Sequence, residues 1–211
     1  MKHTSFFKCI RLMLITTLPI TLHSQVEQTN TLLIVGDSLS ASYNIPLERG
    51  WVELLAERIR QSHPKVKVVN ASISGETTGN ALKRLPELMK KHRPSYVVIE
   101  LGGNDGLRGF KLSQIKKNLE SMIQRIKAGG AQVVLTGIHI PPNYGPAYTK
   151  VFYDAYEQLS KTYQTEFVPF ILENIGDRPE LMQADGIHPT AEAQPKILEN
   201  MWPHIEKVLR P

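Results

Sequence analysis

The chain has 211 residues, of which 41% are hydrophobic and 21% are charged, so its composition suits one globular domain and excludes a disordered or low-complexity protein. Its formal net charge of +5 falls to +2 without residues 1–24, because that segment contains three basic residues and no acidic one. The remainder has no cluster of lysines and arginines with interleaved aromatic residues, which makes nucleic acid a poor candidate partner.

Residues 1–24 follow the pattern of a secretory signal peptide. Basic side chains precede an apolar run over residues 12–22, and the small residue Ser24 follows it. The run is shorter than the roughly 20 residues that span a bilayer. An uncleaved membrane anchor remains the alternative interpretation, because the cleavage motif is imperfect. Cys9, the only cysteine, lies in this segment. The mature domain, residues 25–211, is therefore expected to lack disulfides, thiol nucleophiles and cysteine-bound metal.

Beyond this segment, short apolar runs alternate with helical repeats. Five runs have the character of strands: residues 31–35, 66–70, 96–101, 132–136 and 167–170. Helical spacing of apolar residues predicts five helices: residues 51–59, 81–92, 115–126, 152–163 and 197–209. This order predicts an α/β fold with a five-stranded parallel sheet and helices on both faces. Pro86 predicts a kink in the second helix, and Pro169 places the fifth strand at a sheet edge.

Three loops that follow predicted strands carry residues of interest, and ligands of parallel sheets bind at this edge. Ser38 follows the first strand and is expected at a helix N-terminus, either as a reactive residue or as an ordinary helix cap. Gly75 follows the second strand, where a glycine allows positive φ or close approach of a ligand, although a plain turn is the simpler interpretation. Asn104 follows two glycines, which places an amide donor on an open loop. A phosphate-binding loop is disfavoured because neither glycine-rich phosphate motif occurs.

A fourth element, just before the last helix, contains Asp185 and His188. An aspartate three residues before a histidine can hold one imidazole nitrogen and leave the other free as a base. A serine nucleophile needs such a base, an orienting group and hydrogen-bond donors for the oxyanion. Ser38, His188 and Asp185, with donors from the Ser38 N–H, the Gly75 N–H and the Asn104 amide, satisfy these needs. A zinc hydrolase is disfavoured because H-E-x-x-H is absent.

Four sequence blocks resemble those of the SGNH, or GDSL, hydrolase family. They are GDSL at residues 36–39, Gly75, GGND at residues 102–105 and DGIHP at residues 185–189. The resemblance is closest to bacterial periplasmic thioesterase and lysophospholipase members and extends over residues 31–208. It implies a flavodoxin-like three-layer α/β/α fold. It also implies Ser38 as nucleophile, His188 as base, Asp185 as its orienting group, and an oxyanion hole formed by Ser38, Gly75 and Asn104.

The resemblance implies a serine esterase and thioesterase that acts on small-molecule or lipid acyl substrates through an acyl-enzyme, without a metal or organic cofactor. It further implies a periplasmic monomer with no stable membrane insertion after signal cleavage. Leu107, Ile140 and Pro141 are the expected substrate-binding residues. Phe110 and Ile187 are further candidates for the apolar acyl pocket, and Ile73 and Ile138 fit a core position better.

Two features leave the identity of the substrate undetermined by the resemblance. The segment 44–63 is longer than in the closest members, and the pocket loop at 140–142 carries an extra proline. The acyl chain-length preference of these members is therefore the property least safely inferred for this chain. A carbohydrate deacetylase or an acyltransferase would use the same catalytic residues with different pocket walls. A flavodoxin-like binding module without chemistry is the alternative of another class, and the intact set of serine, histidine and aspartate argues against it.

Overall fold

The computed structural model describes residues 30–141 and 144–210. The predicted signal peptide and Cys9 lie outside these residues. The strands are β1 (Asn30–Gly36), β2 (Val66–Asn70), β3 (Tyr96–Glu100), β4 (Gln132–Thr136) and β5 (Glu166–Val168). They form a parallel sheet in the order β2-β1-β3-β4-β5. The predicted five-stranded parallel sheet is confirmed.

Helices cover both faces of this sheet, as predicted. They are α1 (Trp51–Ser62), α2 (Thr78–His92), α3 (Gly103–Leu107), α4 (Leu112–Ala128), α5 (Pro146–Tyr163) and α6 (Gln194–Leu209). Alternate side chains of β1 point to opposite faces. Leu33 and Val35 belong to the core shared with α2, α4 and α5, whereas Leu32 and Ile34 belong to the core shared with α1 and α6. Within the described residues, no helix is both long and apolar enough to cross a bilayer.

Two prolines bear on the predicted elements. Pro86 lies inside α2, which runs as one helix over Thr78–His92, and the kink there stays a prediction. β5 ends at Val168, so Pro169 follows the strand instead of lying within it. β5 is still an edge strand, because it pairs only with β4 among the described strands.

The short helix α3 was not predicted, and it changes the setting of Asn104. Gly102 precedes it with φ at 115°, a left-handed conformation that favours glycine. A Cβ at Gly102 would also lie 1.8 Å from Tyr156 Oη, whose hydroxyl donates to the Leu101 carbonyl. The chain therefore turns sharply after β3, and Asn104 lies in the first turn of a helix. The expectation of an open loop at Asn104 was wrong.

Candidate active site

The site lies where β1 and β3 end side by side. Gly36 pairs with Glu100 at the last register position of these two strands, which places the segments after them next to each other. Ser38 follows β1 in a run of turns in which the Ala41 N–H donates to the Asp37 carbonyl over 2.9 Å. This run does not continue as a regular helix. The prediction that Ser38 stands at a helix N-terminus was therefore wrong.

Ser38, His188 and Asp185 form a hydrogen-bonded chain across 150 residues of sequence. His188 Nε2 lies 2.8 Å from Ser38 Oγ, and His188 Nδ1 lies 2.7 Å from Asp185 Oδ2. The other carboxylate oxygen, Oδ1, accepts the backbone N–H groups of Ile187 and His188 over 2.9 and 3.0 Å. Asp185 can only accept while ionised, so the proton of the neutral imidazole belongs on Nδ1. Nε2 then has a lone pair that faces the serine hydroxyl.

The setting of Asp185 favours its ionised form. Its partial burial alone would raise the pKa, but the backbone N–H of His188, the imidazole of His188 and the N–H of Ile187 together lower the pKa to about 2. A permanent carboxylate at this position keeps the imidazole orientation fixed at neutral pH.

The three donors predicted for the oxyanion hole are unused within residues 30–141 and 144–210. The backbone N–H groups of Ser38 and Gly75 have no acceptor there. Gly75 lies on the loop after β2, the strand next to β1, and has φ at 77°. Asn104 Nδ2 donates one of its two hydrogens to Asp37 Oδ2 over 3.0 Å, which leaves the second for another acceptor.

Asp37 decides which end of the Asn104 amide faces the site. Its Oδ1 accepts the Leu39 N–H over 3.1 Å, while its Oδ2 faces Asn104 Nδ2. A carboxylate can only accept hydrogen bonds, so it selects the rotamer that presents the amide nitrogen and rejects the flipped amide. Burial raises the pKa of Asp37 to about 6, and the hydrogen bonds from Leu39 and Asn104 oppose that rise.

A second buried carboxyl group lies behind Asp37. Glu100 Oε2 accepts the Ser40 hydroxyl over 2.8 Å, and Glu100 is completely buried at the end of β3. Burial, followed by the charge of Asp37, raises the pKa of Glu100 well above its usual range. Its Oε1 has no hydrogen-bond partner within the described part of the chain. Burial without a partner for Oε1 therefore favours the protonated, neutral form of Glu100.

Gln183 joins two segments of the site. The serine segment follows β1 and contains Ser38, and the histidine segment precedes α6 and contains Asp185 and His188. Its Oε1 accepts from Asn44 Nδ2 over 3.0 Å, and its Nε2 donates to the carbonyls of Tyr43 and Pro189 over 3.1 and 3.0 Å. The Tyr43 ring packs on the His188 imidazole with centroids 4.4 Å apart. These contacts hold Ser38 and His188 in register although the two residues come from distant parts of the sequence.

A cavity of about 740 Å³ opens beside Ser38. All three predicted substrate-binding residues, Leu107, Ile140 and Pro141, line it. Ile138 is buried, as expected of a core residue, and also lines the cavity. Further apolar and polar walls come from the segment after β5 and from the histidine segment: Phe170, Ile171, Leu172, Glu173, Asp177, Met182 and Ile187.

Two expectations about apolar residues were wrong. Ile73 is 49% exposed, so it is not a core residue. Phe110 is 46% exposed and does not line the cavity, and neither does Ile73.

Four residues of the site were not identified from the sequence: Asp37, Glu100, Gln183 and Tyr43. Asp37 entered the sequence prediction only as part of the GDSL block at residues 36–39, without a role of its own. A charged residue at the end of the apolar run 96–101 was a usable signal for Glu100, because an acid in a buried strand needs a reason. Gln183 and Tyr43 gave no signal, since their importance depends on contacts across about 140 residues.

Residues 34–194 match the GDSL-like Lipase/Acylhydrolase family. Esterase TesA of Pseudomonas aeruginosa is 48% identical over 94% of this chain and 98% of its own length. Thioesterase 1/protease 1/lysophospholipase L1 of Escherichia coli is 43% identical over 85% of each chain. A crystal structure of TesA superposes with a TM-score of 0.83 at 49% identity, covering 85% of this chain and 99% of the other. Esterase EstA from Pseudoalteromonas gives 0.81 at 43% identity, with 85% and 98% covered.

Proposed function

This chain belongs to the GDSL-like lipase/acylhydrolase family and is an esterase, and we propose that Ser38, His188 and Asp185 hydrolyse acyl esters and thioesters through an acyl-enzyme. The observation that carries the proposal is the continuous hydrogen-bonded chain from Asp185 through His188 to Ser38, beside an apolar cavity. A binding module without chemistry has no need for a base held within hydrogen-bond distance of a serine hydroxyl.

In the first half of the reaction, Ser38 Oγ attacks the acyl carbonyl carbon while His188 Nε2 takes the hydroxyl proton. The new bond turns the carbonyl oxygen into an oxyanion. When this intermediate collapses, the bond to the alcohol or thiol breaks, and His188 returns the proton to that leaving group. A water molecule then attacks the acyl-enzyme, with His188 as its base, and releases the carboxylic acid and Ser38.

The oxyanion is bound by the Ser38 N–H, the Gly75 N–H and the second hydrogen of Asn104 Nδ2. The proposal is supported by the unused state of all three donors within the described residues. Donors that already point at the developing charge need no reorganisation during the reaction, which is why such groups account for much of the rate.

The acyl chain occupies the cavity, where Leu107, Ile140 and Pro141 bind it. A volume of about 740 Å³ is much larger than an acetyl group requires and falls within the usual range for small-molecule sites. Medium and long acyl chains are therefore the substrates that fit. We further propose that the protein acts in the periplasm as a monomer on lipid-derived or other small acyl compounds.

The experiment is hydrolysis of p-nitrophenyl esters, from acetyl to palmitoyl, by the purified enzyme and its Ser38→Ala variant. We expect turnover of medium or long chains by the parent and none by the variant. Equal, negligible activity of two correctly folded proteins would favour the binding module. A strict preference for acetyl would favour a carbohydrate deacetylase with the same catalytic residues.

A further inference from the structure

The exposed hydrophobic side chains are distributed very unevenly over this protein. Within the described residues, seven large ones are exposed. At least one of them occurs in each of the five segments that follow a strand, and we call these five the apolar ring: Tyr43 after β1, Ile73 after β2, Phe110 after β3, Tyr144 after β4 and Ile187 after β5. The remaining two, Leu47 and Val151, lie before α1 and early in α5. None lies in the connections at the opposite edge of the sheet.

The topology places the ring at the edge of the sheet where the cavity opens, because the carboxyl ends of parallel strands share one edge. Local contacts tie its members to the site. The Tyr43 ring packs on His188, the Ile73 N–H donates to the Gly36 carbonyl, and the Tyr144 hydroxyl donates to the Leu107 carbonyl.

Most of the ring is not part of the cavity wall. Only Ile187 lines the cavity, and the other four members lie outside its wall, in segments at the same edge of the sheet. A substrate that is fully enclosed by the pocket would not need them. Single exposed hydrophobic residues are ordinary, but a patch made of one residue from each of five separate segments marks an interaction surface.

Cationic groups lie close in sequence to members of the ring. Arg108 is exposed and donates from Nη2 to the Gly75 carbonyl over 3.1 Å, and it forms no ion pair within residues 30–141 and 144–210. Lys111 is exposed directly after Phe110. Apolar side chains that project between cations match a phospholipid surface, where phosphate groups lie above acyl chains.

We propose that the apolar ring is a lipid-docking surface, which seats the enzyme on phospholipid with the mouth of the cavity facing the lipid. The proposal rests on the proposed function, since it explains how a long acyl chain leaves an aggregate and enters the cavity without crossing water. A protein partner or a second copy of this chain would cover the same residues, and the tests separate these cases.

The first test is sedimentation with phosphatidylcholine vesicles, with and without phosphatidylglycerol, in a Ser38→Ala background that leaves the lipid intact. We expect binding that weakens about tenfold or more in the Ile73→Ser, Phe110→Ser double variant, because two half-exposed apolar side chains lose their burial in lipid. With Ser38 restored, the double variant should hydrolyse p-nitrophenyl acetate as fast as the parent does. Melting temperatures check folding, and Phe110→Ser alone serves if the double variant is unstable.

The second test uses tryptophan fluorescence as a reporter of location. Phe110→Trp should show a blue-shifted emission on addition of vesicles, because the indole enters the lipid interface. Gln61→Trp is the matched control. Gln61 is exposed and uncharged near the end of α1, at the opposite edge of the sheet, so its emission should not change.

Three outcomes would overturn the proposal: a parent protein that does not bind vesicles, equal binding by parent and double variant, or equal shifts from both tryptophan reporters. Concentration-dependent self-association that the double variant abolishes would assign the ring to a second copy and would also overturn it. Failure of the parent to hydrolyse any soluble ester would instead count against the proposed function.

Discussion

Two carboxyl environments flank the same serine, and they differ in almost every physical respect. Asp185 lies in the half-open histidine segment and accepts three hydrogen bonds, which lower its pKa to about 2. Asp37 and Glu100 are buried under the serine segment, where burial raises the pKa of Asp37 to about 6 and that of Glu100 well above its usual range. The difference follows from hydrogen-bond donors, which favour the charged form of a carboxyl group, and from burial, which favours its neutral form.

The two environments also have opposite effects on stability. A lowered pKa means that Asp185 stabilises the fold above its ordinary pKa of 3.8, and that this contribution is lost as the pH falls toward 2. A raised pKa means that Glu100 favours the fold when protonated. Its contribution declines as the pH rises above the ordinary value of 4.5.

Asp185→Asn should have the largest effect on activity, because it replaces the ionised carboxylate that holds the His188 imidazole. An asparagine can donate to Nδ1, which moves the imidazole proton to Nε2 and leaves no lone pair for the Ser38 hydroxyl. We expect kcat to fall by about 10⁴ with an unchanged fold. Steady-state kinetics with a p-nitrophenyl ester measures this, and nearly normal turnover would refute the role of Asp185.

Asn104→Ala should have the next largest effect. It removes the one side-chain donor of the proposed oxyanion hole, so kcat should fall by about 10²–10³ while KM changes little. Circular dichroism and the melting temperature serve as controls for folding. A large rise in KM at unchanged kcat would mean that Asn104 binds substrate and does not stabilise the transition state.

Asp37→Asn tests whether the buried acid acts through Asn104. The new amide can present oxygen or nitrogen, so Asn104 loses the partner that fixes its orientation. We expect kcat to fall by about 10–100-fold, the value of one hydrogen bond to a charged group. In an Asn104→Ala background the same substitution should have no further effect on kcat. Additive losses would show that Asp37 acts on the site by another route.

Features that depend on residues close together in the chain could be predicted from the sequence. The spacing of Asp185 and His188 predicted their contact, and the apolar runs predicted all five strands, because neighbouring residues determine both. The buried side depended on contacts between distant segments. Asp37 reaches Asn104 only because β1 and β3 end side by side, and Gln183 reaches Tyr43 across the site. The short helix α3 escaped prediction because two glycines at residues 102–103 are typical of an open loop.

Glu100→Gln should have the smallest effect on activity, and it sharpens the buried side of the comparison. If Glu100 is already neutral at pH 7, a neutral side chain of nearly the same shape leaves Asp37, Ser40 and kcat/KM unchanged.

The effect of Glu100→Gln should appear instead in the pH dependence of stability. The parent's melting temperature should fall as the pH rises above 4.5, because folding must then either bury a charge or keep a proton that the unfolded chain releases. Glu100→Gln should flatten that slope, whereas Asp185→Asn should flatten only the loss of stability at acid pH. Identical slopes for the parent and Glu100→Gln would mean that Glu100 titrates normally, and that burial beneath Ser38 does not hold its proton.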